Sequence, residues 1–420
     1  MAEPLRVVII GGGLGGLCLA QGLRRAGVEA AVYERDAALA SRRQGYRLHV
    51  DSRAAQGLRA CLPAELYQLF LATCGQPSRQ LTVVTKRLRP MRTVRSPSAG
   101  SPSAGSPSAG PPLSTSVDRL TLREILGTGL ADVVHFGREF THFSGGGRDG
   151  DEHRPVRAHF RDGSAVTGDV LVAADGVGSR VREQYLPHAL VADTGTRCIY
   201  GKTLISEPVA AVLPAFLTDG FAAVIGSRRV GMALGAVRFV TRPDEAALAV
   251  PGASLSAERD FVMWSVAGQQ AAFPGGDEAL SRSTGRQLHA VALKMIRTWH
   301  PDLRALLAAA EPEETFSVRV RAASPVPLWP PTNVTLLGDA IHAMSPARGS
   351  GANIALLDAG NLARSLARAE RGELPVRDAV HAYEAQMVDY GFAAVRDSLA
   401  VHREGGGVLA RLRAAAESRR

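Results

Sequence analysis

The stretch Val7-Val8-Ile9-Ile10-Gly11-Gly12-Gly13-Leu14-Gly15-Gly16 constrains the fold more than any other part of the chain. Four branched apolar residues in succession read as a strand buried on both faces, the pattern of a parallel sheet. The glycines that follow fit G-x-G-x-x-G through Gly11, Gly13 and Gly16. The first allows a tight turn, the second leaves room for phosphates, and the third lets the next helix pack on the strand. That helix would start with free N–H groups and its positive end facing an anion. A second apolar run, Glu29 to Tyr33, ends in Glu34, at the spacing of about 20 residues at which an acid grips a ribose hydroxyl pair. Strand, turn, helix, strand and acid in register predict a β-α-β unit that binds a dinucleotide.

At 420 residues the chain exceeds a comfortable single core, which predicts two or three interlocked domains. The net charge of +9 comes from arginines scattered along the chain, so a nucleic-acid surface is not expected. Cys18, Cys61, Cys74 and Cys198 show neither metal-ligand spacing nor a disulfide framework, and histidines and acids do not gather as ligands, so no metal is expected. No apolar run reaches the roughly 20 residues that span a bilayer. With no leader pattern before the first strand, the expected location is cytoplasmic.

Leu14 to Ala26 has helical spacing and closes at Gly27. A polar loop containing Arg42, Arg43 and Arg47 leads into a short strand, after which Asp51 or Ser52 caps a helix and Pro63 opens another. Leu81 to Val94 reads as a strand pair of a different sheet. Ser-Pro-Ser-Ala-Gly then occurs three times between Ser96 and Gly110, a composition too poor in apolar surface to order itself. From Ser116, Val117 to Leu126 reads as a capped amphipathic helix. Residues 133 to 172 alternate as strands with a turn at Arg161-Asp162-Gly163-Ser164, and short strands broken by Gly and Pro fill Arg197 to about Val266. Helices return at Thr284 to Trp299 and Pro301 to Ala310. A strand over Asn333 to Leu337, a long helix from Gly351 to Glu370, and another from Val376 to about His402 complete the chain, with fraying expected beyond Gly405-Gly406-Gly407.

Three strand-end motifs occur in order: Gly11 to Gly16 with Glu34; Asp175-Gly176 within Asp-Gly-Val-Gly-Ser-Arg-Val-Arg; and Gly338-Asp339 within Gly-Asp-Ala-Ile-His-Ala-Met-Ser-Pro-Ala-Arg-Gly-Ser-Gly-Ala-Asn. Together they resemble the class A FAD-dependent monooxygenases, the para-hydroxybenzoate hydroxylase-like family, over most of the chain. The resemblance implies an α/β fold: a Rossmann-type FAD-binding domain with an inserted antiparallel β-sheet substrate domain and a long C-terminal helix. The boundaries expected are 1–75, 114–185 and 285–365 for the FAD domain, 76–113 and 186–284 for the substrate domain (96–112 being the repeat loop), and 366–420 for the C-terminal helical segment.

The resemblance also implies roles. Gly11, Gly13, Leu14, Gly15 and Gly16 would hold the pyrophosphate, with Glu34 and Arg35 at the adenosine ribose and Arg119 at the phosphate or adenosine side. Asp175 and Gly176 would serve FAD and nicotinamide binding, and Gly338 and Asp339 the ribityl chain. Pro346, Gly349, Gly351, Ala352 and Asn353 would face the flavin pyrimidine ring, where helix N–H groups stabilise a reduced flavin. Ser350 stands where the family more often has glutamine. Of the loop arginines, Arg43 is taken as the one near the isoalloxazine or the reduced nicotinamide, and Arg197 and Tyr200 as substrate-orienting residues. His342 and His49 are bases by type, but each lies in a motif that accounts for it. The implied activity uses NADPH or NADH, O2 and a C4a-hydroperoxyflavin to hydroxylate an aromatic or polyketide-like molecule. Baeyer–Villiger insertion, epoxidation, dehydrogenation and non-catalytic ligand binding are the alternatives.

Overall fold

The computed structural model describes residues 4–417 apart from 40, 42–44, 78–79, 96–113, 147–154, 215, 217–219 and 227–229. The repeat loop and the loop residues Arg42 and Arg43 therefore lie outside the described residues.

Two sheets organise the chain. The first has five parallel strands in the order Val334–Leu336, Val170–Ala173, Arg6–Ile10, Glu29–Tyr33 and Val134–His135. Val7 to Ile10 lie in the middle and are buried on both faces, as their unbroken apolar run requires. Helices Leu14–Arg25, Gly351–Glu370 and Val376–Glu417 cover one face, and the antiparallel trio Phe140–Gly145, Val156–Phe160 and Ala165–Gly168 covers the other. Because all five strands run the same way, their carboxyl ends share one edge. That edge collects Gly11, Glu34, Asp175 and Gly338 from four distant parts of the chain.

The second sheet has seven strands in the order Phe316–Ala323, Val191–Leu204, Phe261–Gln269, Gly231–Val237, Gly220–Ile225, Gln80–Thr85 and Pro90–Arg95. Neighbours are antiparallel except Gly220–Ile225 beside Gln80–Thr85. Strand alternation splits its side chains between two faces. Ile199, Val224, Leu234, Val262 and Trp264 point outward onto helices Gly285–Met295 and Pro301–Ala308, meeting Leu288, Ala292, Leu303 and Leu307. Tyr200, Leu204, Phe221, Val237, Phe261, Met263 and Phe316 point inward, together with Tyr46.

Three expectations need correction. Residues 285–323, assigned to the cofactor domain, pack on the second sheet: two amphipathic helices cover its outer face and Phe316–Ala323 forms its edge strand. The helix expected from Ser116 begins at Arg119, because Thr115–Asp118 is a buried strand paired with Arg47–Val50 and Asp118 is the residue whose side chain accepts the Thr121 N–H. The last helix runs on past Gly405–Gly407 to Glu417.

Candidate active site

The glycine turn is shaped by contact. Gly11 has φ +110°, and a Cβ there would lie 2.3 Å from the Ala174 carbonyl oxygen; a Cβ on Gly16 would lie 2.0 Å from the Gly11 carbonyl oxygen. A Cβ on Gly13 would instead meet open space. That gap lies at the start of helix Leu14–Arg25, which has no acidic first turn and no side-chain cap, so its leading N–H groups are left for an anion.

Glu34 is 6% exposed and is held in place: its carboxylate accepts the Gly12 N–H at 2.7 Å and the Asp36 N–H at 2.9 Å. Arg123 lies 3.6 Å from Glu34 and donates from Nε to the Gly12 carbonyl at 3.0 Å. Sequence reasoning missed Arg123, although it follows Arg119 by one helical turn and so shares its face. The backbone N–H of Arg119 donates to the Tyr46 carbonyl at 2.6 Å. Burial lowers the Arg119 guanidinium pKa, opposed by the charge of Asp339. Arg35 is exposed at the rim.

Asp175 accepts the Arg180 N–H at 3.0 Å, at the start of the short helix Arg180–Tyr185 that Ser179 caps. Gly176 follows it with φ +78°. Asp339 opens the short helix Asp339–His342, and its side chain reaches solvent. The surrounding protein raises its carboxyl pKa, and the charges of His342 and Arg119 oppose that shift. The second uncapped helix start, at Gly351, again has no acid in its first turn; Pro346 opens the turn before it and Gly349 is left-handed. Gly351 and Ala352 are half-buried there. Asn353 ties this start to strand Arg47–Val50: its amide donates to the carbonyls of His49 and Gly349 at 2.8 Å, and its oxygen accepts the Asp51 N–H at 2.8 Å.

Between the two sheets lies a cleft. In the antiparallel pair Arg47–Val50 and Thr115–Asp118, Leu48, Val50 and Val117 join the core, while Arg47, His49, Ser116 and Asp118 share the opposite face. That face looks onto the inner side of the second sheet. The Arg47 guanidinium stands 5.6 Å from the Phe221 ring centre, and a Cβ on Gly235 would come within 2.8 Å of its Cδ. Burial pushes the Arg47 pKa down to about 10. Lys202 lies 5.5 Å from the Tyr46 ring and 5.3 Å from that of Phe261, paired with Glu258 at 2.8 Å. Tyr200 stacks on Phe316 with centroids 5.5 Å apart, and burial raises its hydroxyl pKa. Tyr200, Phe221, Phe316, Ala223 and Ala233 are half-buried, an apolar wall with surface left to cover.

Arg197 does not share this wall. All five of its N–H groups are engaged: Asp277 at 2.5 and 2.7 Å, Asp193 at 2.8 and 2.7 Å, and the Thr196 carbonyl at 3.0 Å. It clasps the irregularity in strand Val191–Leu204 and has no donor left to orient a substrate. Its pKa is raised, first by Asp277 and then by Asp193. Of the loop arginines, Arg42 and Arg43 lie outside the described residues, and Arg47 stands beside Phe221 on the inner face of the second sheet.

This site suits a dinucleotide whose far end carries an anionic ring. It has two uncapped helix starts on one sheet edge, an open space at Gly13, and the Asp339 carboxyl at the Gly338-Asp339 turn.

Comparison with known proteins agrees. Residues 9–68 match an NAD(P)-binding Rossmann-like domain and residues 290–398 an FAD binding domain. The chain is 36% identical over 389 residues to the dual O-methyltransferase/FAD-dependent monooxygenase elcB of Phaeosphaeria nodorum, covering 87% of this chain and 40% of that protein. It is 34% identical over 409 residues to the dual O-methyltransferase/FAD-dependent monooxygenase CTB3 of Cercospora beticola, covering 92% and 44%. The chain thus spans less than half the length of these two relatives. A crystal structure of a putative FAD-containing monooxygenase from Photorhabdus luminescens superimposes with TM-score 0.78 at 29% identity, covering 95% of this chain and 98% of that one. By its motifs, its fold and these comparisons, the chain is similar to FAD-dependent monooxygenases over most of its length.

Proposed function

We propose that this chain binds FAD along the edge of the parallel sheet and uses NAD(P)H and O2 to oxygenate an aromatic or enolic small molecule. The observation that carries the reading is the pair of uncapped helix starts, at Leu14 and Gly351, that flank the glycine turn and the Gly338-Asp339 turn at one edge of the parallel sheet. Bound FAD supplies the redox chemistry. Glu34, oriented by Arg123, takes the ribose hydroxyls; the start of helix Leu14–Arg25 takes the pyrophosphate; Asp339 takes the ribityl hydroxyls. The N–H groups from Gly351 to Asn353 stabilise negative charge on the pyrimidine end. Asp175 and Gly176 shape the neighbouring turn. Tyr200, Phe221 and Phe316 exclude water and stack on a flat substrate, and Arg47 supplies positive charge beside it.

The test is the visible spectrum of the purified protein, followed by aerobic NAD(P)H consumption with and without a panel of phenols, enols and other aromatics. A two-band flavin spectrum with ligand-stimulated consumption and a product heavier by one oxygen supports the reading. Loss of two hydrogens in the product points to dehydrogenation. A colourless protein that takes up no added FAD overturns the reading.

A further inference from the structure

His49 occupies a position that its local motif does not exhaust. Its carbonyl serves the Asn353 clamp, but its ring is on the face of strand Arg47–Val50 that looks onto the second sheet. Its Cβ lies 3.3 Å from where a Cβ on Gly349 would be, so the ring stands beside the segment from Gly349 to Asn353. The same face carries Arg47, poised over Phe221 on the aromatic wall. The ring is half-buried, and in its neutral form one of its two nitrogens is a proton acceptor.

We infer that His49 is the general base that removes the hydroxyl proton of a phenolic or enolic substrate lying between the flavin segment and the aromatic wall. The inference rests on the function proposed above and names the substrate class. Oxygen is delivered to carbon as an electrophile, and an ionised oxygen on the ring pushes more electron density into it than a hydroxyl does. In the step, the substrate O–H bond breaks, its electron pair stays on oxygen, and the proton forms an N–H bond on the unprotonated ring nitrogen. The imidazolium then releases its proton to solvent. Arg47 stands on the same face to stabilise the oxyanion.

The charges around the ring suit the role. Burial first, then Arg47, lower its pKa; Asp51 and the Thr115 backbone oppose this, and Arg53 adds to it, so the surroundings favour the neutral, proton-accepting ring. The other acids on these elements have other tasks: Asp118 caps a helix, Asp175 accepts the Arg180 N–H, Asp339 belongs to the Gly338-Asp339 turn, and Glu258 and Glu314 pair with Lys202.

The experiment uses the flavin-loaded enzyme and His49→Gln, which keeps the backbone clamp to Asn353. In the first arm, 4-nitrophenol is titrated with pH in the absence of NAD(P)H, and the yellow phenolate band is read. The wild type is expected to hold it ionised below its solution range, and the variant to lose that shift. In the second arm, kcat/KM is measured against pH for phenols of graded acidity. The variant is expected to lose roughly 10²- to 10⁴-fold at pH 7 with weakly acidic phenols, and much less with phenols already ionised. Unchanged ionisation in the variant, or a loss independent of phenol acidity, overturns the inference. Failure of any phenol or enol to stimulate NAD(P)H consumption by flavin-loaded wild type overturns the underlying function instead. If the glutamine variant retains no flavin, His49→Ala with added imidazole decides: rescue supports the base, and no rescue with intact flavin content refutes it.

Discussion

Asp358→Asn is the substitution with the widest reach across the cofactor side of the molecule. Asp358 is fully buried on helix Gly351–Glu370 and joins two other segments, Gly338 to His342 and the last helix. Its Oδ2 accepts the Gly338 N–H at 2.8 Å and meets His342 Nε2 at 2.7 Å, while Oδ1 accepts the Tyr390 hydroxyl at 2.6 Å. Burial alone would lower the His342 pKa, but Asp358, by charge and hydrogen bond, together with Asp339, outweighs it, and the net shift is upward. The native state therefore favours a buried ion pair. Asparagine removes the counter-charge and offers one oxygen where two were used. Breaking one side of a buried pair costs about 3–5 kcal/mol. Because His342 can shed its proton, the lower end applies, about 3 kcal/mol, or roughly two powers of ten in the folded-to-unfolded ratio. Urea unfolding of the flavin-free forms measures this. The pH dependence adds a signature. A histidine with a raised folded pKa contributes stability below its unfolded value of 6.5, and that contribution fades as pH rises through the folded pKa. Wild-type stability should fall across that window, and the variant should lose this component. A loss below about 1 kcal/mol, the worth of one neutral hydrogen bond, would refute the reasoning, as would an unchanged pH slope.

Gly13→Ala should leave flavin-free stability nearly unchanged, because its Cβ meets open space, yet weaken FAD binding by placing a methyl group in the phosphate gap; isothermal titration checks this. Arg197→Lys should lower the thermal midpoint by breaking two bidentate pairs, while the KM of the best substrate stays unchanged; a raised KM would return Arg197 to the substrate site. Glu384 is fully buried, and burial raises its pKa to about 8 against the opposing effect of the Thr335 and Trp329 side chains. Its neutral form is favoured in the fold, so stability is highest below the ordinary carboxylate value and falls as pH rises towards 8. Glu384→Gln should remove that fall and stabilise the protein at pH 8 relative to pH 5; equal slopes in the two proteins would contradict the assignment.

Features that depend on local geometry were legible in the sequence. Gly11 and Gly16 are glycines because backbone atoms lie where a Cβ would be, and Val7 to Ile10 are branched and apolar because both faces of their strand are covered. Asp51 as a cap follows equally from its side chain. What was not legible depends on partners distant in the chain. An amphipathic helix such as Gly285–Met295 needs an apolar surface to cover, but nothing in its pattern says which sheet provides it. Arg197 reads as a cation near a pocket until Asp193 and Asp277 are seen to consume it. Arg123 was passed over in favour of Arg119 because a motif names residue types and not which guanidinium reaches Gly12. The role of His49 was hidden because its carbonyl and its ring face different neighbours.

The threading of the two sheets sets an order of assembly. Strand Arg6–Ile10 finds one neighbour within some twenty residues, at Glu29–Tyr33, and waits for the other until Val170–Ala173. Strand Gln80–Thr85 must wait for Gly220–Ile225, and the outermost cofactor strand, Val334–Leu336, comes later still. A ribosome-bound chain thus carries unpaired apolar strand edges through most of its synthesis, and neither sheet can close before the other is well advanced. Fragments cut at the apparent boundary between the sheets are expected to aggregate rather than fold, so the two halves of the cleft are made together or not at all.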